Sequence, residues 1–138
     1  MLDHPKIIQN AVYVPEYDRF YKSSYRHDHV VIQFDDGREY FIDGGNDYFR
    51  YTADAELEKR IVRYTLTTDD SLYTIVNNLL WGTRGKNGDG PLHYVRLVEC
   101  ETDHLEAILK KYEGIINPIH DMVIKLILNE RGAFAKVF

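Results

Sequence analysis

The spacing of apolar residues changes from a period of two in the first half of the chain to a helical period in the second half. Between residues 30 and 43, apolar and polar side chains alternate on both sides of Asp35-Asp36-Gly37. That triplet is typical of a hairpin turn, because Gly tolerates positive φ. With further strands over Ala11–Val14, Arg19–Ser23 and Tyr48–Thr52, the pattern predicts an antiparallel meander.

A short helical turn and then a strand are predicted within residues 54–66, and a longer helix follows. This helix begins at Asp69 or Asp70, because Asp is a favourable N-cap. It ends at Trp81-Gly82, where Gly takes the C-cap role. The residues that it is predicted to bury recur at helical spacing and are Leu72, Ile75, Val76, Leu79 and Leu80.

Two more helices are predicted after a short strand over Tyr94–Val98. One begins with Thr102 as its N-cap, and the other opens with Asn117-Pro118, since Pro suits the first helical position. The apolar stripe of the last helix comprises Ile119, Met122, Val123, Leu126 and Ile127. Mainly β-sheet over residues 1–67 and mainly α-helix over residues 68–138 predict a single α+β domain.

Charge and cysteine content exclude several classes of protein. A net charge of −5 argues against a basic face for polymeric nucleic acid, although a few arginines can still bind a small anion. No apolar run approaches ~18 residues, and the stretch Met1–Pro5 lacks the pattern of a signal peptide. The single Cys100 fits a reducing compartment. We therefore expect a cytoplasmic protein with no membrane partner.

The stretch Gly82–Pro91 is the first candidate for ligand binding. It contains four glycines and the basic residues Arg84 and Lys86, together with Asn87. No helix follows Gly85-Lys86, so the Walker nucleotide-binding interpretation fails. What remains is either a cationic flap that closes over a phosphate or a plain solvent loop.

A second group of candidates lies near the predicted hairpin strands. Arg26 is either an anion clamp or a surface charge paired with Asp28, and Arg50 is placed to join it on the sheet. Trp81 is either a core anchor or one wall of a base-stacking pocket. His27 and His29 share a strand face, but nothing in the spacing selects a third metal ligand, so we predict no metal and no cofactor.

Two stretches together resemble a known family. They are Arg26-His27-Asp28-His29-Val30 with the segment Ile42–Arg50, and Leu80-Trp81-Gly82 leading to the segment His104–Leu109. This combination, spread from about Tyr25 to Arg131, resembles the first-described family of anti-Thoeris sponge proteins of bacteriophages. The family fold is a small antiparallel sheet followed by helices.

The resemblance implies a viral immune-evasion protein that is not an enzyme and acts in the cytoplasm of the infected bacterium. Such proteins sequester a cyclic ADP-ribose isomer made by a TIR-domain defence enzyme, glycocyclic ADP-ribose in particular, and the Thoeris effector is then not activated. Some members also take up cyclic trinucleotides. The resemblance further implies a homo-oligomer built from dimers, up to a hexamer. The expected ligand-binding residues are Arg26, His27, Asp47, Arg50, Trp81, Arg84, Lys86 and Asn87.

Two other functions stay open from the sequence. One is a phosphodiesterase or glycohydrolase that degrades the same signal, with His27 or Asp47 as its base or nucleophile. The other is a module that inhibits a host protein through a surface rich in the chain's 11 tyrosines. No arrangement of nucleophile and base stands out, which favours binding over catalysis. The apolar segment Ala133–Phe138 is expected to pack on a partner subunit.

Overall fold

The computed structural model describes residues 5–85 and 87–132, and it has the α+β architecture predicted from the sequence. Strands dominate the first part and three helices of seven or more residues lie in the second. The strands are β1 Ile7–Val14, β2 Arg19–Ser23, β3 Val30–Gln33, β4 Glu39–Asp43, β5 Arg50–Tyr51, β6 Val62–Arg63, β7 Leu66–Thr67, β8 Leu80–Thr83 and β9 His93–Arg96. The helices are α1 Ala55–Glu58, α2 Leu72–Asn78, α3 Thr102–Lys111 and α4 Pro118–Glu130.

The chain divides into two compact units. The sheet unit comprises Met1–Asp70 with Gly82–Tyr94, and the helical unit comprises Ser71–Trp81 with Val95–Phe138. The first boundary lies close to the predicted change from sheet to helix at residues 67 and 68. The return of residues 82–94 to the sheet unit was not predicted. The prediction of a single domain stays a prediction.

Residues 5–70 form two sheets rather than the one meander that the sequence predicted, and β8 pairs with β9 in a separate two-stranded sheet. One consists of β2, β1 and β6 in that order, with β7 also paired to β1, and the other is the meander β3-β4-β5. The meander covers only β3 to β5, because β1 pairs with strands more than 45 residues along the chain, and local alternation carries no information about distant partners. The predicted order of a helical turn and then a strand in residues 54–66 is confirmed by α1 and β6.

The predicted hairpin is present and consists of β3 and β4. Val30 lies opposite Ile42, and Val31 lies opposite Phe41. At the turn, the N–H of Gly37 donates to the carbonyl O of Phe34 at 2.9 Å, and Gly37 has φ +88. The buried face of the hairpin belongs to a core cluster that comprises Val12, Val14, Ile32, Phe34, Tyr40, Ile42, Leu57 and Ile61. The opposite face carries Val31, which is exposed.

Helix α2, in the helical unit, is shorter at both ends than the sequence predicted. Its N-cap is Ser71, whose side chain accepts from the N–H of Thr74, and not Asp69 or Asp70. The helix ends before Leu79, whose backbone is extended and whose carbonyl O accepts from the N–H of Leu97 at 3.0 Å. Trp81-Gly82 therefore lies in β8 and is not a helix end. A short apolar run fits a helix and a strand equally well, which explains the error.

The other helices also differ in detail from the sequence predictions. The N-cap of α3 is Glu101, and Thr102 is its first helical residue. The Asn117-Pro118 start of α4 is confirmed, because the Asn117 side chain accepts from the N–H of Ile119 at 2.8 Å. Helix α4 packs on α2 and α3, and its buried residues are Val123, Ile124, Ile127 and Leu128. Met122 on α4 and Leu72 on α2 were predicted to be buried, but both are exposed.

The segment predicted as a strand over Tyr94–Val98 is divided between β9 and a 3-10 turn, Leu97–Glu99. The predicted third strand of the hairpin sheet, Tyr48–Thr52, is only two residues long, as β5. Within the described ranges, no helix combines the length and the apolar content needed to cross a bilayer. The predicted tail contact of Ala133–Phe138 lies outside the described residues.

Candidate ligand-binding site

The turn that follows β4 brings several candidate residues together. Gly44 and Gly45 adopt φ of +110 and +54, and the N–H of Asp47 donates to the carbonyl O of Gly44 at 3.0 Å. A Cβ on Gly45 would overlap the backbone of Tyr25. Glycine is therefore required where this turn meets the loop before β3. Residues 24–29 and 41–50 are called the loop–turn site below.

Two buried polar side chains hold the loop–turn site in place. Asn10, on β1, donates through Nδ2 to the carbonyl O atoms of Asp43 at 3.1 Å and Gly45 at 3.2 Å. Ser23, on β2, donates to the carbonyl O of Asp28 at 2.7 Å and accepts from the N–H of Gly45 at 2.9 Å. Among the residues that the structure describes, both side chains bond only to backbone atoms, so they fix the path of both loops.

Asp43 is the most unusual residue of the site, because it is a carboxylate that is only 4% exposed. Its Oδ2 accepts from Arg50 Nε at 3.1 Å and lies 2.9 Å from Arg50 Nη2. The Nδ1 of His29 lies 3.8 Å from the same oxygen. Its Oδ1 is buried and has no hydrogen-bond partner among the described residues. A buried acceptor without a donor is costly, on the order of 1–3 kcal/mol, so any donor that reaches this oxygen, from water or from a bound molecule, is stabilised here.

The position of Arg50 follows from strand register. β5 places Arg50 directly opposite Asp43 on β4, so the ion pair is a cross-strand pair. Most of the Arg50 side chain is exposed, in contrast to the buried carboxylate that it contacts. Its donors therefore face both the buried carboxylate and the solvent, where an anion can reach them.

An aromatic surface adjoins the carboxylate. Phe41 and Asp43 are two positions apart on β4 and share one face of the strand. The His29 ring lies 4.7 Å from the Phe41 ring between centroids, and the Arg50 guanidinium carbon lies 5.3 Å from the Phe41 centroid. This arrangement combines flat π surfaces with a cation beside the unpartnered oxygen.

Arg26, His27 and Asp47 form the outer part of the site. Arg26 Nε lies 3.7 Å from Asp47 Oδ2, with side chains 69% and 54% exposed. Such an exposed pair contributes little to stability, about 0–1 kcal/mol, so Arg26 can turn to another anion at small cost. His27 has φ +67, and its Nδ1 lies 2.8 Å from the hydroxyl of Tyr48.

The loop–turn site thus contains four of the eight predicted ligand-binding residues, namely Arg26, His27, Asp47 and Arg50. Two others, Arg84 and Asn87, are exposed in the loop after β8, and Arg84 donates to the carbonyl O of Gly90 at 3.5 Å. Among the described residues, no hydrogen bond or ion pair joins Arg84 or Asn87 to the loop–turn site. The predicted contact of Lys86 lies outside the described residues.

Trp81 has the contacts of a core anchor within the helical unit. Its ring meets those of Tyr112 and His120 edge to face, at centroid distances of 5.5 and 5.7 Å. Edge-to-face rings of this kind stabilise packing. A second, ligand-stacking role for Trp81 stays a prediction.

Sequence reasoning did not select His29, Phe41 and Asp43, which the structure places in the loop–turn site. His29 was weighed only as a metal ligand. The alternation of Phe41 and Asp43 on one strand face was a usable signal, but the burial of Asp43 depends on distant residues and was not. Within the described part of the chain, no group of three or more His, Cys, Asp or Glu side chains could hold a metal ion. Burial raises the pKa of the Cys100 thiol, which lowers its reactivity at neutral pH.

Comparison with known proteins adds no relative. No protein-family model matches this chain, and neither a curated protein nor a solved structure matches it. The geometry of the loop–turn site and the resemblance of the sequence motifs are therefore the observations that bear on function.

Proposed function

We propose that this chain binds a small cyclic nucleotide signal at the loop–turn site and sequesters it without cleaving it. The observation that carries the proposal is the buried, unpartnered Oδ1 of Asp43 beside the exposed guanidinium of Arg50. A ligand that suits both groups must carry a hydrogen-bond donor and a negative charge close together. A nucleotide with ribose hydroxyls and a diphosphate has both.

Each part of such a ligand has a matching group. Arg50 and the weakly paired Arg26 suit the diphosphate, because each guanidinium group can donate to two phosphate oxygens at once. The ring surfaces of Phe41 and His29 suit a purine. Asp43 Oδ1 suits a ribose hydroxyl or an exocyclic amino group, since an ionised carboxylate only accepts.

The motif resemblance supports the rest of the proposal. It gives glycocyclic ADP-ribose as the ligand, with cyclic trinucleotides as a further class, and suppression of a Thoeris effector as the outcome. In this proposal the protein acts as a homo-oligomer in the cytoplasm of the infected bacterium, without a cofactor. The ligand stays intact, so the protein is a binder and not an enzyme.

A thermal-shift panel of cyclic ADP-ribose isomers and cyclic oligonucleotides tests the proposal. We expect one cyclic ADP-ribose isomer to raise the melting temperature and to be recovered intact, by mass, after heat release. Recovery of a cleaved product would instead establish a hydrolase. Capture of a host protein with no small-molecule shift would establish an interaction module.

The site assignment is tested by removing single charges. Arg26→Gln and Arg50→Gln should each weaken binding roughly tenfold to a hundredfold, since a hydrogen bond to a charged group contributes about 1.5–3 kcal/mol. Arg19→Gln is the matched control, because Arg19 is an exposed arginine of the same unit that lies over Tyr21, outside the loop–turn site. Equal affinity of all three folded variants, measured by calorimetric titration, would refute the site while leaving binding elsewhere open.

A further inference from the structure

Lys22, on β2, has surroundings that are unusual for a lysine, and the proposed function does not use it. The residue is half-buried. The other lysines in the described part of the chain are exposed, namely Lys6, Lys59, Lys110, Lys111 and Lys125. Lysine normally buries its aliphatic stem and keeps its ammonium group in water. The contacts of the Lys22 amine therefore decide what chemistry it has.

Strand register places Lys22 on an apolar face of its sheet. Lys22 lies opposite Ala11 on β1, and Ala11 is completely buried. Phe20 is two positions before Lys22 on β2 and so shares this face of the strand. The Phe20 ring lies 4.9 Å from the rings of Tyr13 and Tyr64, measured between centroids. Aromatic and small apolar side chains thus surround the stem of Lys22.

A further ring lies against the amine itself. Lys22 Nζ is 5.8 Å from the centroid of the Tyr94 ring, which β9 contributes within the same compact unit. Gly82 leaves room for this ring, because a Cβ there would lie 3.2 Å from Tyr94 Cε1. A cation over a ring gains about 0.5–1 kcal/mol at an exposed site, which does not replace the hydration of an ammonium group.

Lys22 also has no counter-charge among the residues that the structure describes. No ion pair or hydrogen bond joins its amine to another described residue. Burial lowers the pKa of Lys22, since desolvation disfavours the charged form. A larger share of the group is then the neutral amine at neutral pH, and the lone pair of a neutral amine is a nucleophile. Desolvation of this kind is how proteins commonly make a lysine reactive.

We propose that Lys22 is a nucleophilic amine that forms an imine with a small aldehyde or ketone carrying a flat ring. The Nζ lone pair attacks the carbonyl carbon, and the resulting carbinolamine loses water. A C=N bond replaces the C=O bond, the carbonyl oxygen leaves as water, and no oxidant or reductant is needed. The ring faces of Phe20 and Tyr94 favour a flat apolar substituent on the carbonyl compound. This site is independent of the nucleotide proposed for the loop–turn site.

Reductive labelling measures the reactivity of every lysine in one sample. Salicylaldehyde and cyanoborohydride at pH 7 convert each imine into a stable amine, which peptide mass spectrometry locates. Lys22 should be labelled roughly three times faster, or more, than Lys59 and Lys125, which are exposed and paired with carboxylates. Lys22→Arg should remove the fast label, and the matched control Lys59→Arg should keep it. Labelling of Lys22 at or below the rate of the exposed lysines would overturn the proposal.

Two comparisons test the kind of molecule that the site takes. The ratio of Lys22 to Lys59 labelling should be higher with salicylaldehyde than with propanal, because propanal has no ring. This preference should fall in Tyr94→Leu, provided that circular dichroism shows the variant to be folded. Equal ratios for the two aldehydes in the parent chain would overturn the preference for a flat ring. Slower labelling of Lys22, but not of Lys59, in inorganic phosphate would show that Lys22 is a cation that binds an anion, which also overturns the proposal.

Discussion

Ile124 and Met122 on α4 distinguish the buried face seen in the structure from the one that the sequence predicted. Ile124 is 0% exposed and was not placed in the predicted stripe, whereas Met122 was placed there and is 42% exposed. We expect Ile124→Ala to destabilise the protein strongly and Met122→Ala to do so weakly. Both variants keep a good helix former at the altered position, so the comparison isolates burial.

The expected difference follows from the buried groups. Ile124→Ala removes three carbon groups, each contributing about 0.8 kcal/mol when buried. The cavity left behind raises the cost to about 3–4 kcal/mol. Met122 exposes nearly half of its surface, so its truncation should cost no more than about 1.5 kcal/mol.

Urea unfolding followed by circular dichroism at 222 nm measures both costs, since that signal comes mainly from the helices. Heating should show a fall in the melting temperature of about 10 °C for Ile124→Ala, at roughly 3–4 °C per kcal/mol for a chain of this size. Unchanged m-values would establish that both variants unfold between comparable states. A cost for Met122→Ala equal to or above that for Ile124→Ala would refute the observed face of α4.

Two further substitutions test the sheet unit. Gly45→Ala should destabilise this unit by more than about 2 kcal/mol, because a Cβ would overlap the Tyr25 backbone. Gly37→Ala should cost only about 1 kcal/mol, since the space around Gly37 is open. Equal urea midpoints for the two variants would contradict this reasoning. Asp54 caps α1 by accepting from the N–H groups of Glu56 and Leu57, and these bonds hold its pKa below the usual value. Asp54→Ala should therefore lower the urea midpoint at neutral pH, and the difference should shrink as the pH falls below about 4, where the carboxylate of the unfolded chain protonates first. A difference that stays constant down to pH 2 would exclude this cap as the cause.

Local patterns predicted those parts of the fold that local contacts determine. The hairpin of β3 and β4 was predicted correctly because alternation and the Asp-Asp-Gly turn act within fourteen residues. The start of α4 was predicted because Asn117 accepts a hydrogen bond from a first-turn N–H and Pro118 has no N–H that needs an acceptor. Both features need no information about distant residues.

Elements that depend on distant partners were predicted less well. The second sheet was not predicted because β1 pairs with β6 and β7, which lie far along the chain. The end of α2 was misplaced because Leu79 and Leu80 fit helical spacing, although Leu79 bonds to Leu97 in an extended conformation. In each case a tertiary contact overrode a local preference.

The candidate site divides in the same way. Arg26 and Arg50 were chosen from their residue type and their place beside turns, and the structure puts both in the loop–turn site. Asp43 was not chosen, because its burial results from the fold as a whole. Neither alternation nor turn chemistry can show that one carboxylate oxygen lacks a donor.

Asn10 and Ser23 fix the backbone of the loop–turn site, whereas other side chains supply its charges and rings. In the described part of the chain, both bond only to backbone atoms of residues 28, 43 and 45, so the loop path does not depend on most of the side chains in the loops. Exposed positions such as Asn46 and Asp47 can then be exchanged while the frame persists. A scaffold of this kind can evolve new ligand preferences one side chain at a time. In a library randomised at these positions, ligand specificity should therefore vary among the members while most of them keep the fold.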